Sequence, residues 1–120
     1  MEFKMNGRIW NIVELSQEEI KQHMRDYKWD GEPQEGRYYG QTYSSEQTIL
    51  IDKDLHPQQK RQTLMHELAH CYIEMFITHM NIQYDEETVV NLISNSHDII
   101  HKIVEDYFKN KHWQTVIIGV

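Results

Sequence analysis

The stretch that most restricts this chain is Thr63-Leu64-Met65-His66-Glu67-Leu68-Ala69-His70. Leu64, Leu68, Cys71 or Tyr72, and Met75 recur at helical spacing, and Met65, Ala69, Ile73, Phe76 and Ile77 widen that apolar side. A helix of this pattern is expected to be buried on more than one face. It nevertheless carries two imidazoles and a carboxylate, and buried polar groups need a partner. Residues four apart on a helix stand one turn above each other, with Cβ atoms roughly 6 Å apart. His66 and His70 can therefore aim ring nitrogens at one ion about 2.1 Å away. Glu67 is about 100° round the helix from His66. It can reach a water on that ion without being a ligand itself. The His-Glu-x-x-His spacing of zinc hydrolases has this physical basis. With 8 histidines in 120 residues, chance yields the pattern about 0.05 times by spacing alone.

The rest of the chain divides around this helix. Pro57 suits a first helical turn, and the helix is expected to run from there to about Met80. Residues 57–110 contain no glycine. Asn81 to Tyr84 reads as a short connection. Asp85, Glu86 and Glu87 begin the next helix, where the dipole favours acidic groups. Val89, Ile93, Ile100, Ile103 and Tyr107 give it an apolar stripe. Phe3 to Leu15 reads as a strand pair turned at Asn6-Gly7. Ser16 and Glu19 make a capping-box pattern. It opens a short helix with Ile20 and Met24 on one face, ending near Tyr27 to Trp29. Asp30 to Gly36 is a loop. Arg37 to Tyr43 and Gln47 to Ile51 read as strands around a Ser44-Ser45-Glu46 turn. Trp113 to Ile118 is expected as a last strand or a docked tail. The expected fold is α+β, a single domain over residues 1–120 with a small antiparallel sheet packed on two long helices.

Composition narrows the function. Hydrophobic residues at 39% and charged residues at 26% suit a folded domain. A net charge of -7 opposes contact with a phosphate backbone, so nucleic acid is an unsuitable partner. Cys71 is the single cysteine, and no intrachain disulfide can form. Met1 to Trp10 carries Glu2, Lys4 and Arg8 and lacks the apolar core of a signal peptide. No apolar run approaches the roughly 20 residues that span a bilayer. The expected location is the cytoplasm, away from membranes.

A catalytic zinc usually takes three protein ligands and leaves one position for water. Ile73 and Phe76 occupy the places where a longer motif would put a glycine and a third histidine. A carboxylate from the following helix is the natural substitute, and Asp85-Glu86-Glu87 offers it. Periodicity alone favours Glu86, which lies nearer the stripe of Val89, Ile93 and Ile100. His97 and His101, also four apart, form a second candidate, with a solvated or capping role as the plainer reading.

Thr48-Ile49-Leu50-Ile51-Asp52-Lys53-Asp54-Leu55, Arg61-Gln62-Thr63-Leu64 and the His66 to His70 motif together resemble short phage and prophage proteins of Gram-positive bacteria. These stand near the ImmA/IrrE-like zinc metallopeptidases. In that group a strand precedes the motif helix. A glutamate opening the next helix is followed by a small residue three on, Asn or Asp four on, and a small residue seven on. Glu87, Val90, Asn91 and Ser94 fit that frame, with Val90 bulkier than usual. The resemblance spans about residues 47–100 and implies Glu87, against Glu86, as third ligand. It implies a minimal zincin-like domain, with zinc on His66, His70 and Glu87 and with Glu67 as general base. Such a metalloprotease would hydrolyse a peptide bond in a protein or peptide substrate, for some relatives a transcriptional regulator. A further donor to the oxyanion is expected, with Tyr38, Tyr39, Tyr43, Tyr84 and His97 as candidates between which sequence does not choose; for each tyrosine a half-buried aromatic of sheet or loop is the plainer reading. Glu74, one turn beyond His70, would orient a ligand ring or face solvent. The alternative is a zinc-containing, non-catalytic module of phage origin that docks on a host or phage regulator through its acidic surface. Glu67 favours chemistry, because holding a metal does not require it.

Overall fold

The computed structural model describes residues 1–27, 32–76, 86–109 and 116–117, with backbone alone at 86–96 and 116–117. The chain opens as a hairpin of β1 (Glu2–Met5) and β2 (Arg8–Leu15). Asn6 at φ 49° and Gly7 at φ 78° make its turn. A type I′ hairpin turn needs both in the left-handed region, where Asn and Gly are tolerated best. The register pairs Phe3 with Trp10 and Met5 with Arg8. Phe3, Met5, Trp10 and Ile12 all point to one face and are fully buried there.

Ser16 then caps α1 (Gln17–Asp26). Its hydroxyl accepts from the Glu19 backbone at 3.2 Å, and the Glu19 carboxylate accepts from the Ser16 backbone at 3.1 Å. The capping box read from the sequence is therefore present. Two short strands follow, β3 (Gly40–Tyr43) and β4 (Thr48–Asp52), then α2 (Pro57–Phe76) and α3 (Glu86–Lys109). β5 (Val116–Ile117) closes the order. Residues 77–85, including Ile77, Tyr84 and Asp85, lie outside the described residues, as does Trp113. Among the described residues no helix is long and apolar enough to cross a membrane.

The α+β class holds, but the sheet is mixed rather than antiparallel. Its order is β3-β4-β2-β1-β5, and β2 pairs with β4 in parallel, from Asn11 opposite Thr48 to Leu15 opposite Asp52. β5 also runs parallel to β1. The cause is the crossover. A parallel pair needs a long return path, and α1 with the loop after it supplies one between β2 and β4. β3 is left on the edge, antiparallel to β4.

One face of this sheet holds the main core. Ile12, Ile49 and Ile51 meet Leu64, Leu68, Cys71 and Met75 of α2 and Ile100, Ile103, Val104 and Tyr107 of α3. Met65 departs from the expected wide apolar side of α2 and is 39% exposed, whereas Ala69, Ile73 and Phe76 pack against the core. α1 lies against the other face. Its Ile20 and Met24 are buried, and the His23 and Tyr27 rings stand 4.5 Å from Tyr43.

A buried charge ties the edge of the sheet together. Asp52 is fully buried. It accepts from Arg37 Nε at 2.5 Å, Gln17 Nε2 at 2.8 Å and the Asp54 backbone at 2.9 Å. The Gln17 amide also binds both backbone groups of Tyr38. Burial pushes the Asp52 carboxyl up. The Arg37, Asp54 and Gln17 donors outweigh that and hold it below the ordinary range. A lowered native pKa stabilises above the unfolded value and is lost as pH falls through the native one. Asp52→Asn should therefore cost about 1–3 kcal/mol at neutral pH. The gap to the parent should narrow below about pH 4. Denaturant melts across pH check this, and a gap that stays constant into acid would contradict it.

Candidate metal centre

α2 is started from outside by His56, whose Nδ1 accepts from the Gln58 backbone at 3.3 Å and whose carbonyl accepts from Lys60 at 2.8 Å. Lys60 Nζ and the Tyr107 hydroxyl both bind the Glu14 carboxylate, which joins β2, α2 and α3 beneath the site. With Leu64 and Leu68 turned into the core, the helical period sends Glu67 toward β3 and His66 and His70 to the flank.

The two imidazoles meet. His66 Nε2 and His70 Nε2 are 3.2 Å apart, with ring centroids at 4.8 Å and planes at 81°. Two nitrogens each about 2.1 Å from a tetrahedral zinc are separated by roughly 3.4 Å. The pair has the donor chemistry and spacing that such an ion takes. Both rings are exposed, whereas Glu67 is 7% exposed. Glu67 is held from β3: the Thr42 hydroxyl donates to Oε1 at 2.7 Å and approaches its carbonyl at 3.3 Å. Oε2 has no partner among the described residues.

Neither Gly40 nor Thr42 was singled out by sequence as part of the site. The available signal was the glycine itself, since a lone glycine in a strand pattern often marks close backbone approach. A Cβ at Gly40 would stand 2.8 Å from Thr63 Cγ2 and 3.0 Å from Glu67 Cγ. Two clefts open on either side of this contact and share Gly40, His66 and Glu67. One, of about 460 Å³, reaches Thr42, Ile73 and Glu74. The other, of about 410 Å³, reaches Arg37, Tyr39 and Gln62.

The remaining sequence candidates separate. Tyr38 and Tyr39 line the second cleft, and half-buried Glu74 lines the first. Tyr43 is 4% exposed on the opposite face of the sheet, against α1, and cannot serve as an oxyanion donor at this site. Thr42, one residue earlier, takes the cleft side because strand side chains alternate. His97 and His101 stack on each other at 5.8 Å and sit near Asp98 and Glu105, largely exposed. Glu86 and Glu87 lie in the first turn of α3, with side chains outside the described residues. Among the described residues no third histidine, cysteine, aspartate or glutamate joins the pair. A 2.7 Å bridge from Arg61 to Glu105 links α2 to α3.

A family model for the IrrE N-terminal-like domain, Peptidase_M78, matches residues 18–91. The chain belongs to this family. The matched stretch runs from α1 through Gly40, Thr42 and the His66 to His70 motif into the first turns of α3. It takes in Glu86 and Glu87 and stops before His97. No curated protein and no solved structure matches significantly. For this IrrE N-terminal-like domain, membership supports a metallopeptidase-like domain with a protein or peptide as substrate.

The Gly40 contact can be probed without any substrate. Gly40→Ala should lower stability by about 1–3 kcal/mol through overpacking. Thr63→Ser removes Cγ2 and should return part of that loss in the double variant. Thermal melts of the three variants decide, and an undiminished melting temperature for Gly40→Ala would refute the close approach.

Proposed function

We propose that this domain is a zinc-dependent peptidase, with His66 and His70 holding the metal and Glu67 moving the proton. The observation that carries the reading is the 3.2 Å separation of the two Nε2 atoms beside a carboxylate fixed in a cleft. Bound zinc supplies Lewis acidity, both to a water and to the carbonyl that the water attacks. Glu67 takes the proton of the attacking water on its free Oε2 and passes it to the leaving amine. Thr42 occupies Oε1 and keeps the carboxylate turned to the cleft. β3 is an edge strand among the described residues, so its outer backbone groups are open to an extended peptide.

Glu87 completes the ligand set in this reading, supported by the family match and the residue frame around it. His97 is the rival that the sequence offered, though it stacks on His101 and does not join the pair. A regulator protein is the substrate the resemblance suggests.

Purified protein should carry about one zinc per chain by metal analysis, and His66→Ala with His70→Ala should abolish it. Glu87→Gln, Glu86→Gln and His97→Ala, tested side by side, should single out the third ligand as the one whose loss weakens zinc binding strongly. Glu67→Gln should keep fold and zinc but lose cleavage by about 10² or more. A Glu67→Gln protein with full biological activity would exclude proteolysis and leave a binding module. Thr42→Val should lower kcat about tenfold with zinc content and KM little changed, and Thr42→Ser should restore it. A Thr42→Val enzyme with parental kcat would remove Thr42 from the mechanism.

A further inference from the structure

The second cleft contains a cation held in an unusual way. Among the described residues, Arg37 is the one lysine or arginine lining either cleft. Its Nε is bound to Asp52 at 2.5 Å, and Asp52 is itself fixed by Gln17 and the Asp54 backbone. The guanidinium carbon stands 5.9 Å from the Tyr39 ring centroid. The Asp52 hydrogen bond raises the Arg37 pKa, so the group stays charged. Anchoring through Nε leaves the two terminal nitrogens without a hydrogen-bond partner among the described residues. The side chain is 44% exposed, in the same cleft as His66 and Glu67.

A guanidinium fixed at Nε presents a planar, two-pronged edge whose natural complement is a carboxylate. The net charge of -7 makes this selective. An acidic peptide is disfavoured over the surface as a whole and gains only where its carboxylate meets Arg37. β3 runs from Gly40 to Tyr43, so a peptide paired antiparallel to it directs its C-terminal half toward Gly40 and Arg37.

We propose that Arg37 is a specificity-determining residue, binding a peptide carboxylate on the C-terminal side of the bond at Glu67. The carboxylate is supplied by an aspartate or glutamate side chain or by the peptide's own C-terminus. The setting in a substrate cleft rests on the peptidase reading. Asp52 and Gln17 position Arg37 and do not themselves touch the peptide.

The test uses the zinc-loaded full chain and a synthetic library of random octapeptides, with free or amidated C-termini. Products are read by mass spectrometry as the ratio of acidic to neutral residues flanking each cut, so overall rate drops out. Acidic residues should be enriched about tenfold at one position after the cut in the amidated pool if a side chain is the source. Cutting close to the C-terminus in the free-acid pool alone identifies the terminal carboxylate instead. Arg37→Gln should abolish either preference, and Arg37→Lys should keep part of it. The same library is passed over immobilised Glu67→Gln protein, with and without Arg37→Gln, and the retained peptides are sequenced. If the parent cuts nothing yet Glu67→Gln retains carboxylate peptides in an Arg37-dependent way, the peptidase reading fails and the Arg37 site stands. A preference unchanged in folded Arg37→Gln, or its absence from both cleavage and retention by proteins with Arg37 intact, overturns the proposal. The second of these outcomes needs no variant at Arg37, so misfolding of Arg37→Gln cannot shelter it.

Discussion

β3 crosses α2 at close range because Gly40 has no side chain to keep them apart. Any Cβ there would meet Thr63 and Glu67 inside ordinary contact distance. The approach brings the Thr42 hydroxyl within 2.7 Å of the Glu67 carboxylate. It also buries Glu67, while His66 and His70 remain on the solvent side of the same turn. A glutamate on an isolated helix would sample many rotamers. Here the strand removes that freedom and leaves one carboxylate oxygen with a defined outlook.

The edge strand is in turn held by a charge that water does not reach. Asp52 at the end of β4 organises Arg37, Gln17 and the Tyr38 backbone into one network. A buried carboxylate costs a great deal unless every oxygen is satisfied, and three donors meet that demand. The geometry of the cleft and the stability of the edge are thus linked through Tyr39, whose carbonyl accepts from the Asp52 backbone at 2.9 Å one residue before Gly40.

Local signals carried much of this architecture. Asn6-Gly7, Ser16 with Glu19, and Pro57 each settle a few dihedral angles through neighbours in sequence, and all three appear where they were read. The buried side of α2 was legible from period alone. Strand partners were not. Nothing in β4 says that it will lie beside β2 rather than form an isolated hairpin with β3, because that choice depends on burial across some 35 residues of chain. The same limit explains Tyr43. Its hydroxyl made it one of five candidate oxyanion donors, while the one-residue alternation of β3 put it with His23 and gave the cleft to Thr42. The histidine pair was legible because four-residue spacing on a helix fixes proximity without tertiary help. A third partner for the pair was not, since any such residue would come from a separate element whose placement four-residue spacing does not fix.

The parallel pairing of β2 with β4 also makes the site depend on contacts distant in sequence. The first hairpin closes within a handful of residues, on a scale of microseconds. β4 reaches β2 only after α1 and the following loop have been laid down, and such non-local pairings form slowly. Gly40 and Thr42 arrive with β4. A chain that has made its hairpin and its helices therefore still lacks the strand that restrains Glu67. The cleft is complete only when that long-range pairing has closed beside the motif helix, so the competence of the site depends on contacts distant in sequence.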